Sequence, residues 1–113
     1  MELSSVGYDG RVFAPIGFEG AGEPPSGRYS QDGDLVWAEY SGAHLRAGRL
    51  LGRRRADGTI DAAYCQVMAD GRVVAGRCVS TPSMLPDGRL QLTERWRRCD
   101  GTTGVSQIEE VTP

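Results

Sequence analysis

The chain of 113 residues predicts an all-β fold: an antiparallel meander of about eight strands forming a small up-and-down barrel or a strongly curled sheet. Two observations predict it. Asp-Gly pairs recur at Asp9, Asp32, Asp57, Asp70, Asp87 and Asp100 between runs of strand length, and such pairs readily take the positive φ angles of tight hairpin turns. No window repeats apolar residues at helical spacing over roughly ten positions, so helices are minor or absent. A meander of short strands must then curl or close to hide its edges.

The length fits a single domain spanning 1–113, with one modest core. With 13 Lys+Arg against 15 Asp+Glu, the net charge of -2 gives no general attraction to nucleic acid. Met1 to Ser5 has neither a basic start nor an apolar run, and no stretch is long enough to span a bilayer as a helix. The expectation is a cytoplasmic protein without membrane or nucleic-acid partners.

In chain order, Val12 to Phe18 reads as a first strand interrupted at Pro15. Glu19 to Gly27 is a Gly/Pro-rich loop long enough to fold over one end of a barrel. Arg28 to Gln31 and Asp34 to Ser41 flank an Asp32-Gly33 turn, and beyond Gly42-Ala43 the chain returns through His44 to Arg55. Asp57-Gly58 and Asp70-Gly71 separate Thr59 to Ala69 from its neighbours, giving two consecutive hairpins between Leu50 and Ser80. Thr81 to Gly88, with Pro82 and Pro86, is a connector or a cap on the barrel; Leu90 to Arg97 alternates again as a strand.

Two-residue Asp-Gly loops fix a register: Ala56 faces Thr59, Ala69 faces Arg72, Arg54 lies opposite Asp61 and Tyr64 opposite Arg77. A Gly42-Ala43 turn sets Glu39 opposite Arg46. The charge pairs then share one face, as a solvent side should. That face also carries Gly48, Gly52 and Gly76, with Trp37 covering Gly48. The opposite face holds Val36, Ala38, Tyr40, Leu45, Ala47, Leu51, Ile60, Ala62, Met68, Val73, Ala75 and Val79, and with them Arg49, Tyr64, Gln66 and Arg77. Leu90, Leu92, Glu94 and Trp96 alternate with polar residues and face the same way.

Interior charges are costly unless paired, so Arg49, Arg77 and Glu94 either neutralise one another or make a site. As a site, Arg49, Tyr64, Gln66 and Arg77 hold the polar end of a small organic, carboxylated or aromatic metabolite, because guanidinium forks match carboxylates. Tyr40, Leu92 and Trp96 line its apolar body. The layout resembles the interior of fatty-acid-binding and other lipocalin-like barrels. Alternatively, Glu94 in poor solvation acts as acid or base, with Tyr64 or Tyr40 as partner, in a cofactor-free cyclase or isomerase. A filled interior, by contrast, marks a structural or protein-interaction module; a ligand site needs on the order of 300 Å³.

Cys65 and Cys78 share a face but lie diagonally, about 7 Å or more apart, which strains a disulfide. One histidine, His44 at a turn, and no close Cys or His spacing leave no zinc pattern. Arg53-Arg54-Arg55, Arg95 and Arg97-Arg98 alternate faces and read as a solvated rim. Trp37 and any open edge strand are the motive for expecting a homodimer.

Asp34 to Gly42, Gly76-Arg77-Cys78 with Ser80-Thr81-Pro82, Leu85 to Leu90, Glu94-Arg95-Trp96 and Ile108 to Val111 together resemble a family of small bacterial proteins often labelled N-acetylglutamate synthase. The resemblance runs from about Arg28 onward and implies a compact β-barrel. It carries over no acetyl-CoA or glutamate residues. A pyrophosphate-binding loop has to open a helix, whereas Arg46 to Gly52 lies inside a strand run.

Overall fold

The computed structural model describes residues 3–17 and 24–111. Eight strands, β1 (Val12–Pro15), β2 (Ser26–Asp32), β3 (Leu35–Gly42), β4 (Leu45–Arg54), β5 (Ile60–Met68), β6 (Val73–Met84), β7 (Leu90–Arg98) and β8 (Thr103–Glu110), follow one another around a closed barrel. Every neighbouring pair is antiparallel, and β8 returns to β1 through Phe13–Glu110, Ala14–Glu109 and Pro15–Ile108. Closure leaves no free sheet edge among these strands. The first strand stops at Pro15, short of the expected Phe18; most of the expected Glu19 to Gly27 loop lies outside the described residues, and Ser26 and Gly27 belong to β2.

Four of the Asp-Gly turns, at Asp57, Asp70, Asp87 and Asp100, are one residue longer than a two-residue loop, whereas Asp32 pairs directly with Leu35. Arg55 donates its N-H to the Thr59 carbonyl, so Ala56, Asp57 and Gly58 form the connection, with the Gly58 N-H turned back onto the Arg55 carbonyl. The pattern repeats at Met68/Arg72, Leu85/Arg89 and Arg98/Thr102. In all four turns glycine sits at φ between 89° and 93°, the left-handed position that ends a type I turn in a G1 bulge. Each aspartate clamps its own turn: Asp57, Asp70, Asp87 and Asp100 accept the N-H two residues on, at 2.9, 3.1, 3.1 and 2.9 Å.

That extra residue moves each register by one and turns β4 and β6 over. Tyr64 lies opposite Leu50 and Gly76, Arg53 opposite Asp61, and Ala63 opposite Arg77. The β3–β4 turn adds a bulge between Tyr40 and Gly42, which places Glu39 opposite Arg49 and Trp37 opposite Leu51. Arg49, Leu51, Arg77 and Val79 therefore stand on the outer wall with Trp37, while Gly48, Leu50, Gly52, Gly76, Cys78 and Ser80 face inward. The expected inward positions of Ala47, Val73 and Ala75 are displaced by the same shift, Val73 being 74% exposed, whereas Leu45, on the far side of the irregularity between Leu45 and Ala47, keeps its expected place and lines the barrel interior. Ion pairs do mark the solvent side, with exchanged partners: Asp61 meets Arg55 and Arg77 at 3.2 Å each, and Glu39 meets Arg49 at 3.9 Å.

One end of the barrel is packed solid. Val36, Ala38, Ile60, Ala62, Leu90 and Leu92 fill it from the strands, and Val6 and Tyr8 enter it from the N-terminal segment. The Tyr8 hydroxyl donates to the Gly58 carbonyl at 2.6 Å, its N-H donates to Gln31 Oε1 at 2.8 Å, and Arg54 Nε donates to the Val6 carbonyl at 2.8 Å. These bonds satisfy the polar groups that a plug inside a barrel would otherwise strand. The plug replaces Thr81 to Gly88 as the cap: Thr81 to Met84 continue β6, and Leu85 to Gly88 make a hairpin turn.

Candidate functional site

The other half of the barrel is hollow. A cavity of about 450 Å³ is lined by side chains from β1 to β8, and the β3–β4 turn with His44 sits at its rim. Its walls are shaped by glycine. A Cβ on Gly48 would fall into the Tyr40 ring and one on Gly104 into the Trp96 ring, while one on Gly76 would strike the Arg97 carbonyl of β7 and then the Tyr64 hydroxyl at 2.9 Å. At Gly48 and Gly104 the missing side chain lets an aromatic ring lie against bare backbone; at Gly76 it lets β7 approach closely. Tyr40, Tyr64 and Trp96, with Phe13 and Tyr29, line the space thus left open. The glycine cover expected of Trp37 outside is supplied by Tyr40 inside.

Hydrogen bonds fix two of these rings. Trp96 Nε1 donates to Ser106 Oγ at 2.9 Å on the neighbouring strand. The Tyr40 hydroxyl donates to Gln66 Oε1 at 3.3 Å. Burial raises the hydroxyl pKa values of Tyr29, Tyr40 and Tyr64, so all three present O-H groups.

Among the described residues, two charged side chains face this space, both from β7. Glu94 borders the cavity but is crowded by protein on nearly every side, and burial alone raises its carboxyl from 4.5 to about 7. Among the described residues the one donor toward it is the Cys78 thiol, at 4.0 Å from Oε2 and itself 3.5 Å from Ser80 Oγ. Burial first, and the nearby Glu94 second, push that thiol up to about 11. Arg98 lies with its guanidinium carbon 5.2 Å from the centre of the Trp96 ring system and acts against the burial-raised pKa of Tyr64. Its Nε is buried and has no hydrogen-bond partner among the described residues.

Of the residues expected at a ligand site, Tyr40, Tyr64, Gln66, Glu94 and Trp96 share this cavity. Arg49 and Arg77 do not; they point to solvent with side chains 59% and 75% exposed. Leu92 is buried in the filled end of the barrel. Nor does the expected neutralisation of Glu94 by Arg49 and Arg77 occur, since the wall separates them. Arg98 is the residue the sequence reading missed, although it continues the alternation Leu90, Leu92, Glu94, Trp96 by one step. Cys65 and Cys78 take opposite faces, one exposed and one buried, and all three cysteines are free. No group of three or more His, Cys, Asp or Glu side chains suited to a metal occurs among the described residues.

A family profile described as "Avidin-like protein" matches residues 6–111. The label N-acetylglutamate synthase finds no support beside it. No curated protein and no solved structure matches the chain.

Proposed function

This chain belongs to the avidin-like protein family, and from that premise we propose that its barrel binds a small organic molecule in the hollow half, with an anionic or acceptor group of that molecule at Arg98. Avidin-like proteins bind small ligands such as biotin and often oligomerise, which agrees with an interior site. The observation that carries the reading is the Arg98 side chain, which lines the 450 Å³ cavity beside the Trp96 ring and the Tyr64 hydroxyl. A carboxylate is the acceptor that a guanidinium fork fits best. Tyr64 and Gln66 stand on the same wall to complete that end; Tyr40, Trp96 and Phe13 offer flat apolar surface to the ligand body. The volume exceeds the roughly 300 Å³ that a ligand site needs, which speaks against a filled interaction module.

The test is a thermal-shift screen of the full chain against biotin and aromatic and aliphatic carboxylates, repeated on Arg98→Met, Arg49→Ala and Arg77→Ala. A ligand that binds only the folded state raises the melting temperature. The reading expects a stabilising carboxylate whose effect disappears in Arg98→Met and persists in both outer-wall variants. Stabilisation that survives Arg98→Met and falls with Arg77→Ala would move the site to the outside of the barrel.

A carboxyl near 7 in a cavity also suits proton transfer, and that one observation favours a second reading as a cofactor-free cyclase or isomerase with Glu94 as acid or base. Turnover of any ligand found in the screen, lost in Glu94→Gln and retained in Arg98→Met, would select it.

A further inference from the structure

Strand β7 presents three side chains to the cavity at alternate positions: Glu94, Trp96 and Arg98. At about 3.3 Å per residue, the Cα atoms of Glu94 and Arg98 are about 13 Å apart, with the indole between them. Arg98 is at one end of this row; at the other end a carboxylate stands among groups that do not neutralise it. Its cross-strand neighbours are Ser80 on β6 and Ser106 on β8, Cys78 is at 4.0 Å, and Tyr29 of β2 and Tyr40 of β3 lie within its field. Among the groups facing it on these strands none is cationic. A carboxylate so placed lacks a counter-ion, and aromatic walls of this kind are attractive to organic cations through their ring faces.

We infer that the ligand is bipolar: a protonated amine or amidinium at Glu94, a flat apolar body over Trp96 and Tyr40, and a carboxylate at Arg98. The inference rests on the reading of the interior as a ligand site and adds the chemistry of the deep end. The spacing along β7 sets the length, since the two charges of the ligand stand on the order of 10 Å apart once side chains have reached inward from Cα positions about 13 Å apart. A cation at Glu94 requires that carboxyl to be ionised, so binding near neutral pH displaces a proton from the fraction that still carries one. An amine-free acid of the same shape makes no such demand.

Three probes separate the contributions: 3-[4-(aminomethyl)phenyl]propanoate, the amine-free 3-(4-methylphenyl)propanoate, and 4-propylbenzylamine, which lacks the carboxylate. Isothermal titration of the full chain at pH 8 is expected to show the bipolar probe binding about tenfold or more tightly than the amine-free acid, the scale of one charge-assisted hydrogen bond. In Glu94→Gln that advantage disappears while the affinity for the amine-free acid stays within about twofold. At pH 7, titrations in two buffers of different ionisation enthalpy should report proton release, on the order of half a proton, with the amine-bearing probes and none with the amine-free acid. Equal affinity of the bipolar probe and the acid in the wild type, or an advantage that survives Glu94→Gln, overturns the inference and leaves the interior site standing. Failure of all three probes and of every carboxylate in the screen above overturns both.

Discussion

Replacing Glu94 by Gln should make the protein more stable in alkali than the wild type. The carboxyl titrates at about 7 in the folded chain and near 4.5 when unfolded. Folded protein therefore keeps the proton to higher pH than the unfolded chain does. The resulting stabilisation is full below about pH 4.5, declines as pH rises through 7, and is gone above it, where an ionised carboxylate stands in a poorly solvated site. The gap between the two values, at about 1.4 kcal/mol per pH unit, amounts to about 3 kcal/mol. Water entering the open cavity trims that figure. For a chain of 113 residues, an unfolding entropy of about 2.1 cal/mol/K per residue converts it to a fall in Tm of about 10 °C or more. Asp57, Asp61, Asp70, Asp87 and Asp100 pull in the opposite direction, because hydrogen bonds or arginine neighbours hold their pKa values low. Their stabilisation is lost as pH falls. Comparison with the Gln variant removes them, since both proteins carry them. The assay is thermal unfolding by circular dichroism from pH 4 to 8.5. The difference in Tm between variant and wild type should grow with pH between about 4.5 and 7 and then level off. Parallel curves across that range would refute the placement of Glu94 in a poorly solvated, unpaired site.

Two further outcomes test the walls of the cavity. Gly48→Ala meets the Tyr40 ring, which can swing into empty space, whereas Gly52→Ala meets the Asp61 carbonyl oxygen at 2.3 Å and the Ala62 backbone. Gly52→Ala should therefore cost about 1–3 kcal/mol by chemical denaturation, while Gly48→Ala costs less and lowers ligand affinity by narrowing the cavity. Toward a thiol reagent at pH 8, exposed Cys65 and Cys99 should react rapidly; Cys78, buried and with its thiol raised to about 11, should lag by at least tenfold and be protected further by a ligand.

The all-β fold, the strand number and the antiparallel order were legible because Asp-Gly turns punctuate the chain and no helical period competes. The faces of β3, β5 and β7 were legible from alternation alone. Those of β4 and β6 depend on turn length, which an Asp-Gly pair does not fix by itself, and the longer turn turns both strands over. A warning stood in the chain: in a two-residue Asp87-Gly88 loop Pro86 would face Arg89 as a strand residue, although it has no N-H to give. As the first central residue of a type I turn it is well suited, which implies the longer loop. Applied to the other Asp-Gly turns, that single proline would have turned Arg49 and Arg77 outward. The N-terminal plug had no comparable signal, since Val6 and Tyr8 acquire their burial from partners more than twenty residues away.

The barrel also has a seam. β1 meets β2 through Val12 and Phe13 and meets β8 through Phe13, Ala14 and Pro15, whereas β4 and β5 pair from Leu45–Met68 to Arg54–Ile60. A chain that zips hairpin by hairpin from β2 to β8 forms its local contacts early, while joining Phe13 to Glu110 closes almost the whole chain into one loop. That closure carries the largest loop entropy of any pairing in the barrel, and Arg11 ties its edge to Glu110 at 2.8 Å. Phe13 and Pro15 also line the cavity, on the far side of β8 from β7. A guest that touches both therefore bridges the seam as a latch, and what it changes first is the lifetime of the closed barrel: unfolding should slow far more than folding accelerates.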